Sequence, residues 1–200
     1  MTPFEIIGAP LTLWIAPIGT PFPQINAAPA AAWIKLGTNG DRNYDEGGVT
    51  VTHGKSYNKV RPAGASGPVK AFLNEEDLMF TVNLMDVSLE QYRMALNNNA
   101  ITTVAAGVGT QGTKRVGLSE DVGRTAEFAL LARGLSPYNE ALAMQYCVPR
   151  CYQSGAPTPQ YRKGQPAILQ LQFEALEDLS AATPQERFGY LIAATAAALS

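Results

Sequence analysis

The residues able to carry nucleophilic or metal chemistry are few: one histidine, His53, and two cysteines, Cys147 and Cys151. A Ser-His-Asp arrangement would need His53 as its base. His53 ends the stretch GVTVTH just before Gly54, and no GxSxG elbow occurs in the chain; it reads as a partly exposed strand residue. A structural zinc site takes about four nitrogen or sulfur ligands, and three candidates so far apart in sequence do not supply them. Cys147 and Cys151 flank Pro149. At strand rise they stand ~13 Å apart, beyond disulfide reach, although a turn at Pro149 would shorten the gap. GVGTQG at 107–112 lacks the GK[ST] ending of a phosphate loop and opens no helix. The acidic groups Glu75-Glu76-Asp77 and Glu174, Glu177 and Asp178 could in principle serve as a glycosidase acid and base, but each lies at a strand end, where a solvated turn is the plainer reading. Neither catalysis, a metal nor a cofactor is expected, and the residues point to a structural or binding protein.

Composition narrows this further. Of 200 residues, 46% are apolar, enough for a core, but only 16% are charged, against about 25% in most soluble chains. A folded chain with so little charge suggests an outer surface partly covered by other subunits. The net charge of -2 excludes a generally basic nucleic-acid binder and a polybasic membrane patch. No stretch reaches the ~20 apolar residues needed to span a bilayer, and the first basic residue is Lys35, so a secretory n-region is missing. A soluble protein made in the cytoplasm is expected.

The elements follow from periodicity. Residues 1–32 form a proline-rich arm with Pro3, Pro10, Pro17, Pro21, Pro23 and Pro29; only Leu11–Ala16 fits a strand between them. The arm lies either on its own domain or on a neighbour. The domain then runs over 33–192, before an alanine-rich tail at 193–200. A short strand is expected at Trp33–Leu36, a loop at 37–48, a strand at GVTVTHG and a long loop from Gly54 to Pro68. Asp77–Met85 alternates, with Leu78, Phe80, Val82 and Leu84 on one face. Ser88 and Gln91 make a capping box that opens a short helix with a Leu89, Tyr92, Leu96 stripe, closed by Asn97-Asn98-Asn99. Further strands are expected at Thr113–Leu118, at Thr125–Arg133 (a helix is also compatible), at Ala141–Pro149 with Leu142, Met144, Tyr146 and Val148 inward, at Ala167–Leu176 and at Phe188–Ile192. The fold class is mainly β with one helix, an antiparallel β-barrel or β-sandwich.

One stretch is more specific: GGVTVTHG, a long loop, GPVKAF, then EEDLMFTVNLMDVSLEQYRMALN. It resembles the major tail tube protein of tailed bacteriophages. Gly67, Pro68, Val69 and Lys70 match that family's GPVK-like element. Asp86, Ser88 and Glu90 match its helix start, Ala95, Leu96 and Asn97 its helix end, and Phe173–Asp178 its C-terminal pattern. The resemblance covers roughly residues 33–190 and leaves the arm unmatched. It implies a barrel or sandwich with a flanking helix, six subunits per ring, and stacked rings forming a tube. The tube assembles around a tape measure protein, between tail terminator and distal tail or baseplate proteins, and conducts DNA in the virion after assembly in the host cytoplasm. On this reading the loops at 37–48 and 54–67 meet the adjacent ring through Lys55, Lys59, Arg61, Asp41 and Arg42. The polar strand faces carrying Thr125, Glu127, Gln145, Gln170, Gln172 and Glu174 either line a neutral-to-acidic lumen or simply face solvent or a neighbour. Two alternatives remain: a small-ligand-binding β-barrel, or another virion structural protein of tail completion or capsid type.

Overall fold

The computed structural model describes residues 9–120, 123–137 and 139–195, with 139–141 described by backbone alone. Its strands are β1 (Leu11–Ala16), β2 (Ile34–Lys35), β3 (Tyr44–Val60), β4 (Lys70–Leu84), β5 (Ile101–Val104), β6 (Thr113–Val116), β7 (Glu127–Ser136), β8 (Asn139–Gln153), β9 (Leu169–Ala175) and β10 (Tyr190–Ala193). One short helix, α1 (Leu89–Tyr92), precedes a 3-10 turn at Arg93–Ala95. The fold is mainly β, antiparallel and sandwich-like, and it is not a closed barrel. The main sheet runs β2-β1-β7-β8-β9-β4-β3, with β10 also on β8, while β5 and β6 form a separate hairpin.

A bulge turns one sheet into two layers. Leu130 pairs with Val148 and Phe128 with Cys151, so Pro149 and Arg150 together oppose Ala129. Proline cannot donate to a ladder, and a bulge is where a strand tolerates it. Beyond the bulge β8 changes neighbour on its other edge, from β10 along Met144–Cys147 to β9 along Cys151–Gln153. Strands that bend at a bulge are how sandwiches turn corners. The extra residue also places Cys147 in the outer apolar cluster and Cys151 in the main core. The two thiols therefore lie on opposite faces, both free and buried.

Between the layers, Leu78, Phe80, Val82 and Leu84 of β4 meet Leu169, Leu171 and Phe173 of β9 and Leu13, Leu130 and Val148 from the other side. The alternation read from sequence in β4 and β9 is the alternation observed. In β7 the inward set Phe128, Leu130 and Ala132 is joined by buried Ala129 and Leu131. The second face is covered because the proline-rich segment packs back over it. Trp33 donates from Nε1 to the Pro21 carbonyl at 3.1 Å and stacks on Phe22 at 5.2 Å. The described part of the arm thus lies on its own domain, and its strand β1 is a full member of the sheet, between β2 and β7 and paired with β7 from Leu11 to Ala16.

Other expectations change. Residues 54–60 are not loop: β3 continues to Val60 and pairs with β4 down to Lys70, leaving a turn at 61–69. Likewise 37–48 is shortened by a 3-10 turn at Gly40–Asn43 and by β3 starting at Tyr44. Ser88 caps α1, its side chain accepting from the Gln91 N–H at 3.3 Å, and Asn97 and Asn98 end the helical segment at φ 54° and 57°. The fully buried positions are Gln91, Met94 and Ala95; of the expected stripe Tyr92 packs half-buried against the core but Leu89 and Leu96 do not, because the helix tightens to 3-10 after one turn and rotates its inward face. Ala194, in the expected tail, bonds to Ala143; residues 196–200 lie outside the described residues. Among the described residues no helix is long and apolar enough to cross a membrane.

Candidate self-assembly interface

Every residue from Lys55 to Asp77 is exposed. These residues are the far halves of β3 and β4, paired only with each other: Tyr57 with Leu73, Asn58 with Phe72, Lys59 with Ala71 and Val60 with Lys70. A lone two-stranded ribbon is marginal in water, yet this one carries Tyr57, Val60, Val69, Phe72 and Leu73 at about half exposure or more. The hairpin β5–β6 is a second projection, with Val104 and Val108 uncovered, tied to α1 by the ion pair of Lys114 with Glu90. That pairing holds the Glu90 carboxyl below its usual range.

The five candidate assembly residues fall into two groups. Lys55, Lys59 and Arg61 are on the projecting hairpin; Lys55 reaches Glu76 at 3.3 Å, and Lys59 and Arg61 lie toward the turn. From Asn58 to Phe72 the hairpin holds three cations, Lys59, Arg61 and Lys70, and no acid, with Lys70 over the Phe72 ring at 4.9 Å. Asp41 and Arg42 sit in the 3-10 turn before the opposite end of β3. Asp41 accepts from Thr12 Oγ1 at 3.0 Å, and Asp45 nearby accepts from Asn83 Nδ2 at 2.8 Å. The strand thus has a cationic far end and a base where Asp41, Asp45 and Glu46 outnumber Arg42.

The candidate lumen residues also divide. Gln170, Gln172 and Glu174 share the outer face of β9, and Glu127 joins them through the cross-strand row Thr52, Met79, Glu174, Tyr152, Glu127. Tyr152 donates to Glu174 Oε2 at 3.0 Å, and partial burial, aided by that carboxylate, raises its pKa. Arg150 grips Glu127 Oε2 from Nε at 3.1 Å and Nη2 at 2.7 Å. Arg162 lines the same cleft as Gln170 and Asn83. The face is therefore polar but holds arginines that the strand alternation did not place there. Thr125 precedes β7 and is exposed.

Gln145 does not belong with them. It is fully buried, accepting from Arg133 Nε at 3.0 Å and Nη2 at 2.7 Å and donating to the Pro23 carbonyl at 3.0 Å. Arg133 also donates to the carbonyls of Gln24 and Ala27 at 3.0 and 2.6 Å. Residues 21–29 hold three prolines, which supply carbonyls without N–H donors, so this pair acts as a clamp for that segment. The sequence signal was available: a proline-rich apolar segment needs donors, and Arg133 and Gln145 are polar residues inside otherwise apolar strands. Among the described residues, no three of His, Cys, Asp and Glu are grouped to hold a metal ion. Comparison with known proteins finds no family model and no curated protein that matches this chain.

Proposed function

We propose that this chain is a structural subunit of a bacteriophage tail tube. It would form hexameric rings that stack into a hollow conduit for DNA, in contact with a tape measure protein along its length and with terminator and distal tail or baseplate proteins at its ends. The observation that carries this reading is the exposed hairpin at 55–77, an apolar ribbon with a cationic tip and no partner face among the described residues. Stacked copies would cover it, with Lys59 and Arg61 of one ring facing the Asp41, Asp45 and Glu46 end of another. Surface ion pairs are worth ~0–1 kcal/mol each, but a ring repeats every one of them. The outer edge of β3, unpaired among the described residues, suits pairing between neighbours within a ring, since an unpaired edge is a template for another strand. The polar face of β4 and β9 is then the side left for the bore. The ring number, the DNA path, the virion location and the partner proteins rest on the sequence resemblance.

A ligand-binding barrel is the weaker reading, because Phe80, Phe173 and the core leucines occupy the space between the layers. Negative-stain electron microscopy of the concentrated protein decides between the readings. Rings or tubes are expected, and only monomers at high concentration would sink the proposal. Replacing residues 57–73 with a two-residue turn should leave a folded chain that no longer polymerises; tubes of normal length from that variant would mean the hairpin is not the stacking element.

A further inference from the structure

We infer that the cleft between the end of β1, the 3-10 turn after α1 and the start of β7 receives residues 1–8 of a second copy of this chain. The cleft holds about 240 Å³ and is walled by Ile15, Ile34, Met94 and Phe128. Arg93 and Asn98 also line it, and Arg93 Nε and Asn98 Oδ1 are both buried without a hydrogen-bond partner. Native proteins leave few such atoms unmatched. Glu127, in the same cleft, is already held by Arg150, so it does not answer the guanidinium nitrogen. An occupant fitting these walls pairs a large apolar group with an adjacent carboxylate and a backbone or side-chain donor.

Residues 1–8 read MTPFEIIG, with Phe4 next to Glu5 and two isoleucines after it. A dry cavity of about 150 Å³ is enough for benzene, so the cleft takes the Phe4 ring, while Glu5 supplies the acid and the peptide N–H groups the donors. Reach makes the contact intermolecular. The Ala9 N–H donates to the Leu135 carbonyl, while the cleft lies where Ala16 pairs with Ala129. Six strand residues separate those levels of β7, roughly 20 Å, whereas Glu5 is four residues from Ala9, a reach of at most ~14 Å. Ala194 bonds to Ala143, which pairs with Leu135, so the described chain ends leave together at the end of β7 away from the cleft. A donor segment at one end and an acceptor cleft at the other make a heterologous head-to-tail contact, which propagates rather than closing as a dimer.

The contact requires that two copies meet, not that they build a tube, so the test is separate from microscopy. Two full-length variants are mixed, Ile6→Cys as donor and a tagged Ile34→Cys as acceptor, and oxidised. Native Cys147 and Cys151 are buried, and the single variants alone serve as controls. A covalent heterodimer is expected on a non-reducing gel. Adding Arg93→Glu to the acceptor should cut its yield about tenfold, the usual value of one charge-assisted bond, and adding Glu5→Arg to the donor should restore it. That rescue also shows that the Arg93→Glu chain is folded. No heterodimer above the controls, a yield indifferent to Arg93→Glu, or no recovery with the swapped pair would overturn the inference. An internal disulfide in the Ile6→Cys/Ile34→Cys double variant in place of the heterodimer would place the segment on its own chain and overturn it too.

Discussion

β4 passes through two environments in fifteen residues. From Leu78 to Leu84 its alternate side chains are buried between the layers; from Lys70 to Asp77 every side chain is exposed. The ladder with β3 runs through both halves, with a register shift between Ser56 and Tyr57, so pairing with β3 does not distinguish them. What differs is a second layer. The inner half has β9 beside it and β1 and β7 across from it, and its stability is set by apolar burial. The outer half has one neighbour and no cover, although Phe72 and Leu73 are as apolar as Phe80 and Leu78. The proposed stacking of copies would cover these groups, since a large exposed apolar patch is the kind of surface that interaction sites use.

The sharpest way to break this comparison is to truncate one phenylalanine in each half of the hydrophobic system. Phe173 is fully buried, and Phe173→Ala should cost about 3–5 kcal/mol in chemical denaturation. A cost below about 1 kcal/mol would mean that the space between the layers is not the stabilising core. Next in size is the outer cluster. Gly189 has φ +108°, and a Cβ there would lie 2.0 Å from the Cys147 carbonyl oxygen, so Gly189→Ala cannot keep β10 seated on β8. About 2–3 kcal/mol is expected, with faster amide exchange confined to Tyr190–Ala193; unchanged exchange would show that β10 does not depend on this approach.

A pH titration reads the same outer cluster. Burial pushes the Cys147 thiol up to about 11, while an unfolded thiol loses its proton near 9. In that window the folded chain binds the extra proton, so this contribution is present below pH 9 and fades as the pH rises through about 11. Two units correspond to about 2.7 kcal/mol, of which about 2.3 kcal/mol is lost by pH 11. Under reducing conditions, Cys147→Ala should lose about that much less stability than the parent between pH 8 and pH 11; identical curves would refute the assignment. The smallest effect on the isolated chain is expected at the hairpin. Phe72→Ala should change its unfolding free energy by less than about 0.5 kcal/mol while raising the concentration needed for self-association. A large loss of monomer stability would mean that the ribbon is part of the fold rather than a surface for a partner.

Legibility followed the same division. The period-two patterns of Leu78–Leu84 and Leu169–Ala175 could be read directly, because one covered face forces alternation. The hairpin could not: with neither face covered, Gly54–Pro68 shows no period, and its Gly, Pro, Lys and Ser content reads as loop. Polar residues were harder still. Gln145 and Gln172 look alike on their strands, and only the arm folding over β8 makes one a buried clamp and leaves the other on the outer face.

Local rules in the sequence therefore determined the capped turn at Ser88, the asparagines that end it, the strands with one buried face and the mainly β class, since each depends on neighbours within a few residues. Tertiary structure alone decided that Leu11–Ala16 is an inner strand, that β7 is covered on both faces, that Pro149 bends β8 into two layers, that Cys147 and Cys151 face apart, and that 55–77 projects as a ribbon. Each of these depends on which distant segment supplies the missing ladder or the missing cover. A residue's own type states what it needs, but not which part of the chain meets the need.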